Sequence, residues 1–154
     1  MKKNNRKISK WNVLYWILAF VPFIVSICFY NRLPEQVPTH WGADNVVNGY
    51  SSRNMAAFGI PAFMFLMAVM VNVIYRIDPK RENISRSREL KEITRWFVVL
   101  MAVMVQFVIV LSGIGMDINV GSMVSLPIAL VLMAMVLIPS VYSYLIYRKK
   151  LKGI

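Results

Sequence analysis

The chain has 154 residues, 58% of them apolar and 16% charged, with a mean hydropathy of +0.55. Soluble domains carry about a quarter charged residues, and soluble monomers keep large apolar patches out of water, so a soluble globular fold is excluded. Disorder is excluded as well, because disordered segments are poor in apolar side chains. The composition predicts an all-α membrane protein, a single integral membrane domain over residues 1–154.

A membrane-spanning helix needs about 20 mostly apolar residues, and four windows meet that length. A basic tail with Lys2, Lys3, Arg6, Lys7 and Lys10 precedes the first, at about 11–30. This window is too long for a signal h-region and lacks a small-residue cleavage site, so it reads as a retained span. An outer segment, residues 31–54, holds only Arg32 and Arg53. The second window covers about 55–77, and the stretch after its core holds Arg76, Lys80, Arg81, Arg86, Arg88, Lys91 and Arg95. The third covers about 96–116. After a turn without basic residues, the fourth covers about 124–147 and ends in Arg148, Lys149, Lys150 and Lys152. Of the 18 basic residues 16 flank one side, so the rule that basic flanks stay inside places both termini and the middle loop in the cytoplasm. The same asymmetry accounts for the net charge of +11 through anionic lipid rather than direct nucleic-acid binding. Aromatic residues at the span edges, among them Trp11, Tyr15, Trp16, Tyr30, Trp96 and Tyr144, are expected as interfacial anchors.

Within the spans, Pro22, Pro61 and Pro139 each remove a helical hydrogen bond, and Pro127 falls in a first helical turn where proline is tolerated. Fixed kinks are expected there, a gated hinge being the alternative, with Ser26 and Ser140 available to bond nearby carbonyls. Asn72 and Gln106 are amides at depth that would face neighbouring helices, and a mutual pair between spans two and three is one arrangement. No ionisable residue lies mid-membrane, which argues against a proton relay or ion pathway. Met64, Met67, Met70, Met101 and Met104 read as flexible packing; a thioether copper path is the sharper alternative.

The outer segment reads NRLPEQVPTHWGADNVVNGYSSRN. Its Pro, Gly and Asn residues set turns, so an ordered cap is expected, with 39–41 and 46–50 pairing as a short β-hairpin around 42–45 and Asn48–Gly49 making a further turn. Ser51 or Ser52 can cap the second span. His40 with Asp44 or Glu35 offers an acid–base pair or a metal ligand, and the plainer reading is a histidine bonded within its own loop. Trp41 and Tyr50 read as loop core or interface anchors, or as a ligand platform. One cysteine, Cys28, and one histidine exclude zinc sites with several Cys or His ligands and iron–sulfur ligation, and no Cys–His dyad is expected. No metal, cofactor or catalytic set is expected. On the inner side Asp78–Pro79 stops the second span. A helix is predicted from about Ser85 into the third, with Arg88 and Glu92 at pairing distance. This segment reads as an interfacial helix or as a docking face for a cytoplasmic partner.

The outer residues Leu33, Pro34, Glu35, Gln36, Val37, Pro38, Thr39, His40 and Trp41, followed by Asn48, Gly49 and Tyr50, resemble the LPxxVPTHW…GY segment of the SdpI-like membrane proteins. Asp78, Pro79, Lys80, Arg81, Glu82, Asn83 and Ile84 resemble the DPKxxNI stretch after that family's second span. The likeness covers roughly residues 11–95; the family's type member has six spans where this chain has four windows. The resemblance implies a non-enzymatic, multi-pass bacterial cell-membrane protein acting in immunity to, or sensing of, a secreted antimicrobial peptide. It also implies a ligand face at Pro34, Pro38, Thr39, His40, Trp41, Gly49 and Tyr50, and an inner docking stretch at Asp78, Pro79, Lys80 and Asn83 for a cytoplasmic regulator. The alternatives are an accessory or regulatory subunit of a membrane complex such as an exporter, and a membrane enzyme using His40 and Asp44.

Overall fold

The structure, a computed structural model, describes residues 9–77, 84–125, 128–130, 133, 137, 144, 147 and 148. Helix α1 (Lys10–Phe29) ends in a 3₁₀ turn at Tyr30–Arg32. Strands β1 (Gln36–Trp41) and β2 (Val47–Ser52) follow as an antiparallel hairpin. A π-helical turn (Met55–Gly59) leads into α2 (Ile60–Ile77), and α3 spans Ile84–Gly113. Three segments are long and apolar enough to cross a membrane: Lys10–Arg32, Met55–Ile74 and Lys91–Gly113. These match the first three expected windows. The fourth, at 124–147, lies largely outside the described residues, as do Pro127 and Pro139; residues 120–125 are helical.

The helices face outward with apolar side chains. Ile17, Phe20, Ile24 and Ile27 expose one stripe of α1, and Phe63, Met67, Met70 and Ile74 one stripe of α2, the three- and four-residue steps of a single helix face. Inward positions are small. Ala19, Ala68 and Val99 pack around Tyr15 in one buried cluster, and small residues let helix backbones approach without competing lipid contacts. A second cluster, Leu33, Val37, Ala56, Ala57 and Ile109, seals the hairpin onto the helix ends, with Tyr30, Trp41, Ile60, Val105 and Ile114 packed against it.

Helix α3 begins at Ile84, close to the expected start, and runs without a break into the third span. It ends at Gly113, three residues short of the expected boundary, where Gly115 at φ +86° turns the chain. Glu92 pairs with Arg95 at 2.9 Å. The hairpin is longer than its turn signals implied, because Pro38 sits in β1 opposite Tyr50. A two-stranded ribbon consists only of edges, where a proline removes no essential bond. Asn48 and Gly49 form no separate turn; they belong to β2.

Candidate functional site

The hairpin carries most of the residues singled out by the sequence, and strand alternation divides them between two faces. Val37, Thr39 and Trp41 point toward the helices: Val37 is fully buried, Trp41 packs on the cluster of Leu33, Ala56 and Ile109, and Thr39 Oγ1 lies 3.0 Å from Ser51 Oγ across the strands. Pro38, His40, Asn48 and Tyr50 lie on the opposite face, with His40, Asn48 and Tyr50 exposed. Pro34 is exposed at the hairpin root. The expected ligand set is therefore two sets, an outward triplet of Pro38, His40 and Tyr50 and an inward support of Thr39 and Trp41.

Gly49 lies opposite His40 at an irregularity in the register. A Cβ there would sit 2.9 Å from His40 Cβ, so this glycine permits close approach of the strands. His40 Nδ1 donates to Asn48 Oδ1. The plainer reading of His40, bonded within its own loop, is the observed one. With Nδ1 carrying the proton, Nε2 of a neutral ring is an acceptor, and the residue is exposed. Asp44 is engaged elsewhere: its Oδ1 accepts the Val46 N–H at 3.1 Å, an Asx-type contact that stabilises the tip. Among the described residues, no group of three His, Cys, Asp or Glu side chains is placed to hold a metal ion.

Four anchors fix this face to the helix ends. Ser52 Oγ accepts the Met55 N–H at 3.3 Å, capping the entry to the second span. Tyr30 Oη donates to Asn54 Oδ1, and the Arg53 guanidinium lies over the Tyr30 ring at 5.7 Å while the Arg53 N–H bonds the Glu35 carbonyl at 3.0 Å. At the base, Gly113 of α3 sits so close that a Cβ would meet Leu33 Cδ2 at 2.8 Å and Val37 Cγ1 at 3.1 Å. At the tip, Asn45 adopts φ 65°; its Nδ2 donates to the Ile118 carbonyl at 3.3 Å and its Oδ1 accepts the Gly121 N–H at 3.1 Å. None of Tyr30, Asn45, Asn54 or Gly113 was singled out as a site residue from sequence. The signal for Asn45 was present: asparagine is among the few non-glycine residues that tolerate φ > 0.

Two buried polar nodes tie the helices together. Near the hairpin, Gln106 is fully buried. Its Nε2 donates to Ser26 Oγ at 2.8 Å and to the Ala56 carbonyl at 3.1 Å, while Ser26 Oγ donates to the Pro22 carbonyl at 2.9 Å. Toward the other end, Tyr15 Oη donates to the Ala68 carbonyl and accepts from Asn72 Nδ2. Arg95 stacks over the Tyr15 ring at 4.6 Å, reaches Asn12 Oδ1 at 3.2 Å and pairs with Glu92. An Asn72–Gln106 pair is not formed; each amide has taken a different partner. Tyr15 is likewise no interfacial anchor but a fully buried hub, edge-on to both Trp16 and Trp96. The inner-loop residues Asp78, Pro79, Lys80 and Asn83 lie outside the described residues.

A family model described as a domain of unknown function, DUF1648, matches residues 17–65, about a third of the chain. The matched stretch runs from α1 through the hairpin and the π-turn into α2, which is the segment that builds the hairpin face. Neither the curated proteins nor the solved structures yield a match.

Proposed function

We propose that the chain is a non-enzymatic, SdpI-like multi-pass protein of the bacterial cell membrane, conferring immunity to, or sensing, a secreted antimicrobial peptide through its outer hairpin. In this reading the chain has a fourth span at about 124–147. Both termini are cytoplasmic, the hairpin faces the outside, and the basic inner loop is available to a cytoplasmic regulator. The observation that carries the reading is the hairpin itself. Two strands alone are marginally stable in water, yet this pair is held at its root by Tyr30 and Met55, at its base by the end of α3 and at its tip by residues 118–121. The anchoring presents Pro38, His40 and Tyr50 on one exposed face. A rigid aromatic ring, an imidazole with a free acceptor and a flat proline surface together suit an extended peptide, because aromatic anchors provide contact area at low entropic cost. The basic flanks support the orientation.

A killing assay tests the proposal. Cells expressing the protein should survive at least one member of a panel of secreted antimicrobial peptides that kills the parent strain, and His40→Ala with Tyr50→Ala should abolish protection at equal membrane abundance. Equal death with and without the protein across the panel overturns it.

A further inference from the structure

Pro61 has no N–H, so one carbonyl in the preceding turn must lose its helical partner. Which carbonyl is orphaned depends on the register. In an unbroken α-helix the partner of position 61 is the carbonyl of Ala57. Here the Ile60 N–H reaches back five residues to the Met55 carbonyl, and in that π register the missing donor falls to Ala56. The Ala56 carbonyl is the one that receives Gln106 Nε2, at 3.1 Å. The second hydrogen of the same amide goes to Ser26 Oγ, whose own proton is committed to the Pro22 carbonyl. Ala56 accepts and cannot donate, so the amide orientation of Gln106 is fixed. Gln106 Oε1 is then left buried without a hydrogen-bond partner among the described residues.

We infer that Gln106 is a positioning residue that locks the second span in its π register, and that this register aligns the far end of α2 with Tyr15. A π-turn holds one residue more than the α-turn it replaces. Relaxing 55–59 to α geometry with the Ser52 cap in place therefore moves every later residue by one helical position, about 100° and 1.5 Å. Met67 would then take the place of Ala68, and Val71 that of Asn72. Ala68 is 1% exposed in the cluster with Tyr15, Ala19 and Val99, a slot without room for a methionine. Val71 offers Tyr15 no hydrogen bond. The bond at the outer joint and the Tyr15–Asn72 node at the opposite end are thus satisfied in one register only, and a displacement of the hairpin root that releases Gln106 is transmitted along α2 as a change of register. This coupling is independent of what the outer face binds.

Disulfide cross-linking of the full chain in native membranes tests the lock, with Cys28→Ser as background. Ala19→Cys should cross-link to Ala68→Cys in preference to Met67→Cys. Gln106→Leu should shift the ratio of the 68 to the 67 cross-link about tenfold toward 67, the weight of one buried hydrogen bond; an unchanged ratio overturns the inference. A second arm avoids dependence on Gln106→Leu folding. Deleting Gly59 from the otherwise native chain removes the extra residue, makes Ala56 the α-helical partner of Pro61, and should retain the cross-link to position 68. Transfer of that cross-link to Val69→Cys would show that the π-turn persists regardless, and would also overturn it.

Discussion

Asn72 Nδ2 lies 2.8 Å from Tyr15 Oη, joining α1 and α2 through two side chains 57 positions apart in sequence. The Ala68 carbonyl completes the triangle, accepting from Tyr15 Oη at 3.1 Å and from Asn72 Nδ2 at 2.7 Å. Interhelical polar bonds in membranes contribute about 0.6 kcal/mol on average and about 1.7 at most. Tyr15→Phe, which removes the hydroxyl and keeps the ring, should therefore lower thermal stability in detergent by roughly 1 kcal/mol. Tyr15→Ala also removes the edge-on contacts with Trp16 and Trp96 and the Arg95 stack, and should cost about 3–5 kcal/mol. Equal losses in the two variants would show that the ring packing is unimportant.

The base of the hairpin depends on the missing side chain of Gly113. Gly113→Ala places a methyl 2.8 Å from Leu33 Cδ2, and overpacking of this kind costs about 1–3 kcal/mol. The loss should be local, read as faster amide hydrogen exchange across 36–52 with little change in α1. Gly115→Ala meets no atom within 4 Å but imposes a side chain on φ +86°. It should destabilise through the backbone by about 1 kcal/mol without raising exchange in the hairpin.

Asn45 combines an unusual backbone with two hydrogen bonds, so its substitutions separate the two roles. Asn45→Gly keeps the positive φ and loses the bonds; Asn45→Ala loses the bonds and adds about 1 kcal/mol of strain. Stability should fall in the order wild type, glycine, alanine. Amide exchange at Gly121 should accelerate in both variants, since both lose its acceptor.

Gly49→Ala puts a Cβ 2.9 Å from that of His40. The strands must separate to accept it, and the His40–Asn48 bond is the first contact affected. NMR of the imidazole should report loss of the protected Nδ1 proton, with the α-helical content unchanged by circular dichroism.

Three helices long and apolar enough to cross a membrane, and the hairpin, were legible because each leaves a one-dimensional signal: an unbroken apolar run, or prolines and glycines at spacings that dictate turns. The helix partners left none. Asn72 and Gln106 looked like a pair because they are the amides of adjacent antiparallel spans, but Gln106 sits at the depth of Ala56, sixteen residues and about 24 Å of helix rise from Asn72. Counting residues from the outer boundary of each span would have separated them. Tyr15 was placed at the lipid interface because helices apolar on every side do not reveal their inward face; its partner Asn72 marks that face only once the packing is known. The π-turn was equally silent, since it arises from a proline and a glutamine on different helices. On the hairpin, His40, Pro38 and Tyr50 were legible as candidates, whereas the separation of Thr39 and Trp41 from them required the strand register.

The proposed function stands on the hairpin lying outside the cell, and labelling at its tip tests this most directly. Ala43→Cys, exposed at the tip, should react in a Cys28→Ser background with a membrane-impermeant maleimide on intact cells as fully as after permeabilisation. Labelling only after permeabilisation would place the tip in the cytosol and contradict the proposal.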